Sequence, residues 1–119
     1  MYNYKAKLIK TVDGDTVDLM IDLGFNIWHK IRVRLDDINT PESRTKDLRE
    51  KKLGLKAKKF TNNFLKGKEI IVQTNKKGKF GRFLSNLSVR GADLADALLE
   101  ANLAKEYHGE KRGNWFEEA

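Results

Sequence analysis

Two stretches of this chain set hard oxygen donors at short spacing, the second with arginines among them. They are VDGDTV (Val12 to Val17) and RVRLDDINTPE (Arg32 to Glu42). In the first, Asp13 and Asp15 flank a glycine, and carboxylates two apart on a turn can reach one hard cation. Asp-Gly is also an ordinary hairpin signal, so a purely structural turn stays open. The second stretch offers Arg34, Asp37, Asn39, the Thr40 carbonyl and Glu42. Carboxylate, amide and carbonyl oxygens are hard donors suited to calcium or magnesium. Pro41 biases Thr40 toward extended backbone and fixes the path of the turn. Arg34 falls on the polar side of its strand, where its fork matches a phosphate. A surface ion pair with a neighbouring acid is the competing use. A third stretch, KKGKFGRF (Lys76 to Phe83), interleaves four basic residues with two aromatics and two glycines. It reads either as a solvated hairpin loop or as a phosphate- and base-binding loop with Phe80 available for stacking.

Composition removes several other chemistries. There is no cysteine, which excludes disulfides, thiolate nucleophiles and zinc–thiolate sites. Two histidines, His29 and His108, are too few for a three-histidine metal centre and carry no ligand spacing. The net charge of +7 points to polyanionic partners, nucleic acid foremost. No segment is apolar enough to span a membrane, and the opening MYNYKAKLIK lacks the apolar core of a secretory signal. The expected location is cytoplasmic, with a processed secreted form left open. At 119 residues the expectation is one domain, 1–119, with one modest core and its active groups on a rim or groove.

The elements that must position these residues follow from periodicity. Tyr4 to Val12 reads as a strand entering a turn at Asp13-Gly14. Thr16 to Leu23 alternates, with Val17, Leu19, Ile21 and Leu23 on one face and Asp18, Met20 and Asp22 on the other. Ile27 to Leu35 alternates again, with Ile27, Ile31, Val33 and Leu35 inward and Trp28, Lys30, Arg32 and Arg34 outward. The pair reads as a hairpin. Asp47 to Lys66 has a helical period, with Leu53, Ala57, Phe60 and Phe64 on one face and Gly67 as its stop. This helix is strongly basic, but its apolar face is explained by core packing without a membrane. Lys68 to Thr74 and Phe83 to Val89 are strands around a turn at Asn75-Lys76-Lys77-Gly78. Asp93 to Ala101 is a second helix, with Leu94, Leu98 and Ala101 apolar and Asn102 suited to its left-handed end. Three strands, a helix, two strands and a helix fit an α+β protein built on a five-stranded Greek-key barrel of the OB type.

Taken in order, VDGDTV, RVRL…INTPE, KFGR (Lys79 to Arg82) and the second helix with ANLAK (Ala101 to Lys105) resemble the staphylococcal nuclease (thermonuclease) family. The resemblance runs from about Lys7 to Lys105. It implies an OB-fold barrel with two to three helices and calcium-dependent hydrolysis of DNA, RNA or both, leaving 3′-phosphates. By the same resemblance, Asp15 would ligate calcium directly, Thr40 through its backbone carbonyl, and Asp13 from the outer shell. Arg34 and Arg82 would hold the scissile phosphate, and Glu42 would act on the attacking water. Lys79, Phe80 and Tyr107 would contact substrate, Tyr107 being the weakest of these carry-overs. The partner is DNA or RNA, and a monomer is expected.

Three departures from the family pattern stand out. Asn39 occupies the place of a second ligand aspartate, so weaker calcium binding is expected. Phe80 replaces a tyrosine, which keeps stacking and loses a phenol. The long final helix is expected to be shortened or absent after Tyr107. The rival expectation from another class is a non-catalytic nucleic-acid-binding OB module, because a fold does not by itself assign a function.

Overall fold

Alternating apolar residues in the first three strands all seek one interior. β1 (Tyr2–Asp13), β2 (Thr16–Asp22) and β3 (Trp28–Leu35) form an antiparallel meander. Val17, Leu19, Ile21, Val33 and Leu35 are buried along it. The structure, a computed structural model, describes residues 2–36, 38–77 and 83–106. After the two-residue strand β4 (Ile38–Asn39) come α1 (Leu48–Leu65), β5 (Ile70–Lys77) and β6 (Phe83–Val89). The short strand β7 (Ala92–Asp93), α2 (Leu94–Glu100) and the short strand β8 (Lys105–Glu106) follow.

β5 pairs antiparallel with both β1 and β6, and β6 pairs in parallel with β3, Arg34 lying opposite Leu84. That last ladder closes the sheet. The long strands run β1-β2-β3-β6-β5 and back to β1. This is the five-stranded OB-type barrel expected from the order of elements, with two helices among the described residues. Closure satisfies backbone groups that an open sheet would leave at its edges. Core residues from α2, Leu94 and Leu98, and from the segment behind it, Leu103 and Ala104, join the barrel interior.

Capping sets the helix limits. The Asp47 carboxylate accepts the N–H groups of Arg49 and Glu50 at 3.0 and 3.4 Å, satisfying donors that the first turn leaves free. Gly67, with φ +72°, ends α1 in the left-handed region. Asn102, with φ 58°, does the same behind α2, as its residue type predicts.

Several expected faces shift. Ile27 is 54% exposed and Leu23 46%. β2 ends at Asp22, and a tight turn through Gly24, Phe25 and Asn26, all with positive φ, carries both residues off the barrel. β5 continues through Asn75 to Lys77, where a turn was expected, with a register shift after Thr74. Ala101 is exposed rather than part of an apolar face.

Asp18, expected outside, is buried. Its carboxylate accepts the Arg32 Nε and Nη2 hydrogens at 2.7 and 3.1 Å. The two sit opposite each other on β2 and β3, where opposite charges attract. The Arg32 contact holds the Asp18 carboxyl below its ordinary 3.8, against a smaller opposing effect of burial. A carboxyl whose folded pKa is lowered stabilises the fold above its unfolded value. That contribution disappears as pH falls through the folded value. Asp18→Asn is therefore expected to flatten the loss of stability below about pH 4. Urea midpoints followed into acid check it, and an unchanged acid limb rules the pair out as a contributor.

The buried side of α1 is also rotated from expectation. Gly54, Ala57, Thr61 and Leu65 are buried, while Leu53, Phe60 and Phe64 are only partly so. Small residues let the helix approach closely, and what they approach is the candidate site.

Candidate functional site

α1 clamps two turns that lie far apart in sequence. Thr61 donates its hydroxyl hydrogen to the Gly14 carbonyl at 2.7 Å. A Cβ at Gly14 would lie 2.8 Å from the Ala57 Cβ and 3.1 Å from Thr40 side-chain atoms. A Cβ at Gly54 would lie 2.2 Å from the Glu42 carbonyl oxygen and 2.6 Å from the Ser43 nitrogen. The turn carrying Asp13 and Asp15 and the segment carrying Glu42 thus both rest on one helix face. Gly14 and Gly54 are required by close approach, since neither contact tolerates a side chain. The Glu50 carboxylate adds a tie by accepting the Glu42 N–H at 3.1 Å.

The polar groups converge from four elements. Asp15, 7% exposed, accepts the Thr40 N–H on Oδ2 at 3.1 Å and the Thr16 hydroxyl on Oδ1 at 3.1 Å. Its backbone carbonyl accepts the Leu35 N–H at 2.8 Å, which links the β1–β2 turn to the end of β3. Arg34 on β3 places Nη2 3.6 Å from Asp15 Oδ2. The same Nη2 donates to the Asn39 amide oxygen, and Nη1 donates to the Leu35 carbonyl at 3.0 Å. Asp13 accepts the Ser43 hydroxyl and, at 3.4 Å, the Ser43 N–H. Asn39 itself is set by β4, which pairs antiparallel with β8, Asn39 opposite Lys105.

The residues singled out from sequence therefore divide in two. Asp13, Asp15, Arg34, Asn39 and Thr40 are joined by direct hydrogen bonds, ion pairing or the turn they share, and Glu42 follows two residues after Thr40. Asp37, Lys79, Phe80, Arg82 and Tyr107 lie outside the described residues. Sequence reasoning missed Thr16, Ser43, Gly54 and Thr61. Only Gly54 left a signal, since a glycine inside a helical pattern costs about 1 kcal/mol against alanine and invites a packing reason.

The donor set bears on a hard cation. Asp15 carboxylate, Asn39 amide and Thr40 carbonyl are all oxygens, the ligand type of calcium. The Thr40 N–H bond to Asp15 holds these donors on neighbouring turns, which fits such an ion in kind, and Arg34 would have to yield the Asn39 oxygen to it. Among the described residues, no group of three or more histidine, cysteine or acidic side chains converges. A site built here would rely on few charges. The candidate site is also separate from a groove of about 430 Å³ at the other end of β1, lined by Lys5, Lys7, Trp28 and Lys68 among others.

A closed five-stranded barrel with two helices among the described residues, carrying acids, an amide and an arginine where turns meet a strand end, defines an OB-fold protein with hard oxygen donors on its rim. Comparison with known families makes this specific. The model of the staphylococcal nuclease homologue family matches residues 32–118, and the chain belongs to that family, one of nuclease-related and nucleic-acid-binding domains. It is 30% identical to an uncharacterised protein of Methanocaldococcus jannaschii, over 76% of this chain and 51% of that protein. It is 29% identical to an uncharacterised protein of Bacillus anthracis, over 82% of this chain and 44% of that one. The chain thus spans about half the length of the curated relatives it matches. No helix among the described residues is long and apolar enough to cross a membrane.

Proposed function

We propose that this chain is a calcium-dependent nuclease, one domain over 1–119 and monomeric. It would hydrolyse phosphodiester bonds of DNA, RNA or both with little sequence specificity, leaving 3′-phosphates. The observation that carries the reading is the Arg34 guanidinium. It is anchored on the Leu35 carbonyl and on Asn39 while facing Asp15, and Asp15 is anchored in turn on Thr40. Phosphodiester hydrolysis needs positive charge at the phosphoryl oxygens and an oriented water. An arginine anchored beside the site supplies the first, its Nη2 turning to the phosphate if the Asn39 and Asp15 oxygens take up an ion. Arg82, from the KFGR block, is the second arginine of this reading. Glu42 takes the proton of the attacking water, and Asp13 orders the turn through Ser43. Lys79, Phe80 and Tyr107 are assigned to the substrate strand. Asp15, the Asn39 amide oxygen and the Thr40 carbonyl would hold calcium, with Asp13 in the outer shell. When bound, the ion adds positive charge beside the phosphoryl oxygens.

A cleavage assay on single-stranded DNA and on RNA, with calcium against a chelator, tests this reading. Cleavage is expected only with calcium. Full activity in excess chelator would remove the metal from the mechanism. Nucleic-acid binding without cleavage in either condition would make the chain a binding module.

Asn39 offers a finer test. Its neutral amide gives the site one charge fewer than an aspartate would, and calcium affinity rises with ligand charge. Asn39→Asp is expected to tighten calcium binding roughly tenfold in a calorimetric titration. Unchanged or weaker binding takes Asn39 out of the ligand set.

A further inference from the structure

The positive charge of this chain is concentrated in one segment. Residues 44–68 hold ten of the 24 basic residues and two of the 17 acidic ones, a net +8 in a chain whose total is +7. The rest of the molecule therefore nets −1. Most of this charge lies on α1, and packing of the helix against the barrel does not account for it. The buried face is Gly54, Ala57, Thr61 and Leu65. Arg49, Lys52, Lys56, Lys59, Asn63 and Lys66 are all exposed. Their spacing of three and four residues stacks them in one ridge on the opposite side of the helix. At 1.5 Å per residue the ridge runs about 26 Å.

Neighbouring like charges at this spacing destabilise a helix. Acidic residues placed between them would relieve that repulsion, as on an ordinary solvated helix. Here, among the described residues, Lys52, Lys56, Lys59 and Lys66 form no ion pair. Nor does the ridge have the composition of a membrane-lying helix, because the apolar side of α1 is occupied by the barrel. Lysines without ion-pair partners along a rigid rod match the regular phosphates of a nucleic-acid backbone. The first turn of the ridge is tied to the candidate site, since Glu50 accepts the Glu42 N–H.

We propose that the outer face of α1 is an accessory, sequence-independent binding surface for the nucleic-acid backbone. It tethers long polymers to the domain and is separate from the candidate site where cleavage would occur. Nucleic acid as the ligand rests on the nuclease-family reading above, but the binding itself does not depend on catalysis. A strand or duplex longer than the ridge gains contacts here. A substrate of two or three nucleotides, reaching only the candidate site, does not.

The test uses the full chain and a triple variant, Lys52→Gln, Lys56→Gln and Lys59→Gln, with fluorescence anisotropy on a duplex longer than the ridge. Each phosphate contact removed should flatten the plot of log affinity against log salt by about 0.9, so the slope should fall by about 2.7. A control triple variant, Lys7→Gln, Lys10→Gln and Lys30→Gln, makes the same charge change on the strands. It is expected to keep most of the slope. An equal loss in both variants would mean bulk charge alone and overturn the proposal. So would an unchanged slope in the α1 variant, or anionic phosphatidylglycerol vesicles being the only polyanion whose binding the ridge variant loses. Glutamine keeps helix propensity close to that of lysine, and circular dichroism checks that both variants fold. If the chain proves not to cleave at all, the anisotropy result still decides the ridge. If it does cleave, the ridge variant should slow turnover of long polymer and leave a dinucleotide substrate unaffected.

Discussion

Glu42→Gln is expected to lower kcat by about 10²–10⁴-fold while leaving nucleic-acid affinity nearly unchanged. Glutamine keeps the size of the side chain and loses the ability to accept a proton from water. The backbone at this position does not depend on the side chain. Its N–H is held by Glu50, and its carbonyl rests against Gly54. The substitution should therefore remove the proton acceptor and keep these backbone contacts. Single-turnover cleavage alongside an anisotropy titration separates the two effects. A kcat within a few-fold of the parent would assign the general base elsewhere. A parallel loss of binding would make Glu42 a positioning residue.

Gly54→Ala pits two known effects against each other, and their magnitudes decide the sign. Alanine is favoured over glycine inside a helix by about 1 kcal/mol. Here its Cβ would sit 2.2 Å from the Glu42 carbonyl oxygen and 2.3 Å from its carbon. Both atoms are backbone, so no flexible side chain can move aside. Overpacking of this kind costs about 1–3 kcal/mol. The variant is expected to be less stable than the parent by chemical denaturation, despite its better helix propensity. The strain should also push the Glu42 segment away from the Asp13–Asp15 turn. A displacement of about 1 Å at such a site can reduce turnover by about 10²-fold. A stabilised Gly54→Ala protein would show that α1 does not press on this segment. Gly14→Ala provides an independent check on the same packing, because its nearest neighbours are the side chains of Ala57 and Thr40. A smaller loss of stability is expected there.

Much of the barrel was legible from period alone. The apolar residues of β2 and β3 alternate into the core, and a one-residue slip would turn the whole set outward. Val17, Leu19, Val33 and Leu35 therefore declare their face without any knowledge of neighbours. Helix ends were equally readable, because Asp47, Gly67 and Asn102 act through their own backbone and nearest turn. Where strands leave the barrel was not legible. Leu23 and Ile27 continue the alternation in sequence, yet the turn between them bends them into solvent. Asp18 looked like an outward acid and became a buried partner of Arg32, because only pairing of β2 with β3 brings the two opposite each other.

The candidate site divides the same way. The amino-acid sequence determined which oxygens and arginines are available: Asp13, Asp15, Arg34, Asn39, Thr40 and Glu42, with neither cysteine nor a histidine cluster. It also determined that one of these positions is a neutral amide. Tertiary structure decided that Asp13, Asp15, Arg34, Asn39 and Thr40 meet. Asp15 reaches Thr40 across 25 positions, and Thr61 reaches Gly14 across 47. Contacts at that separation depend on how closely a helix can approach two turns. That approach is set by the missing side chains of Gly14 and Gly54, whose necessity cannot be read until the surfaces they face are in place.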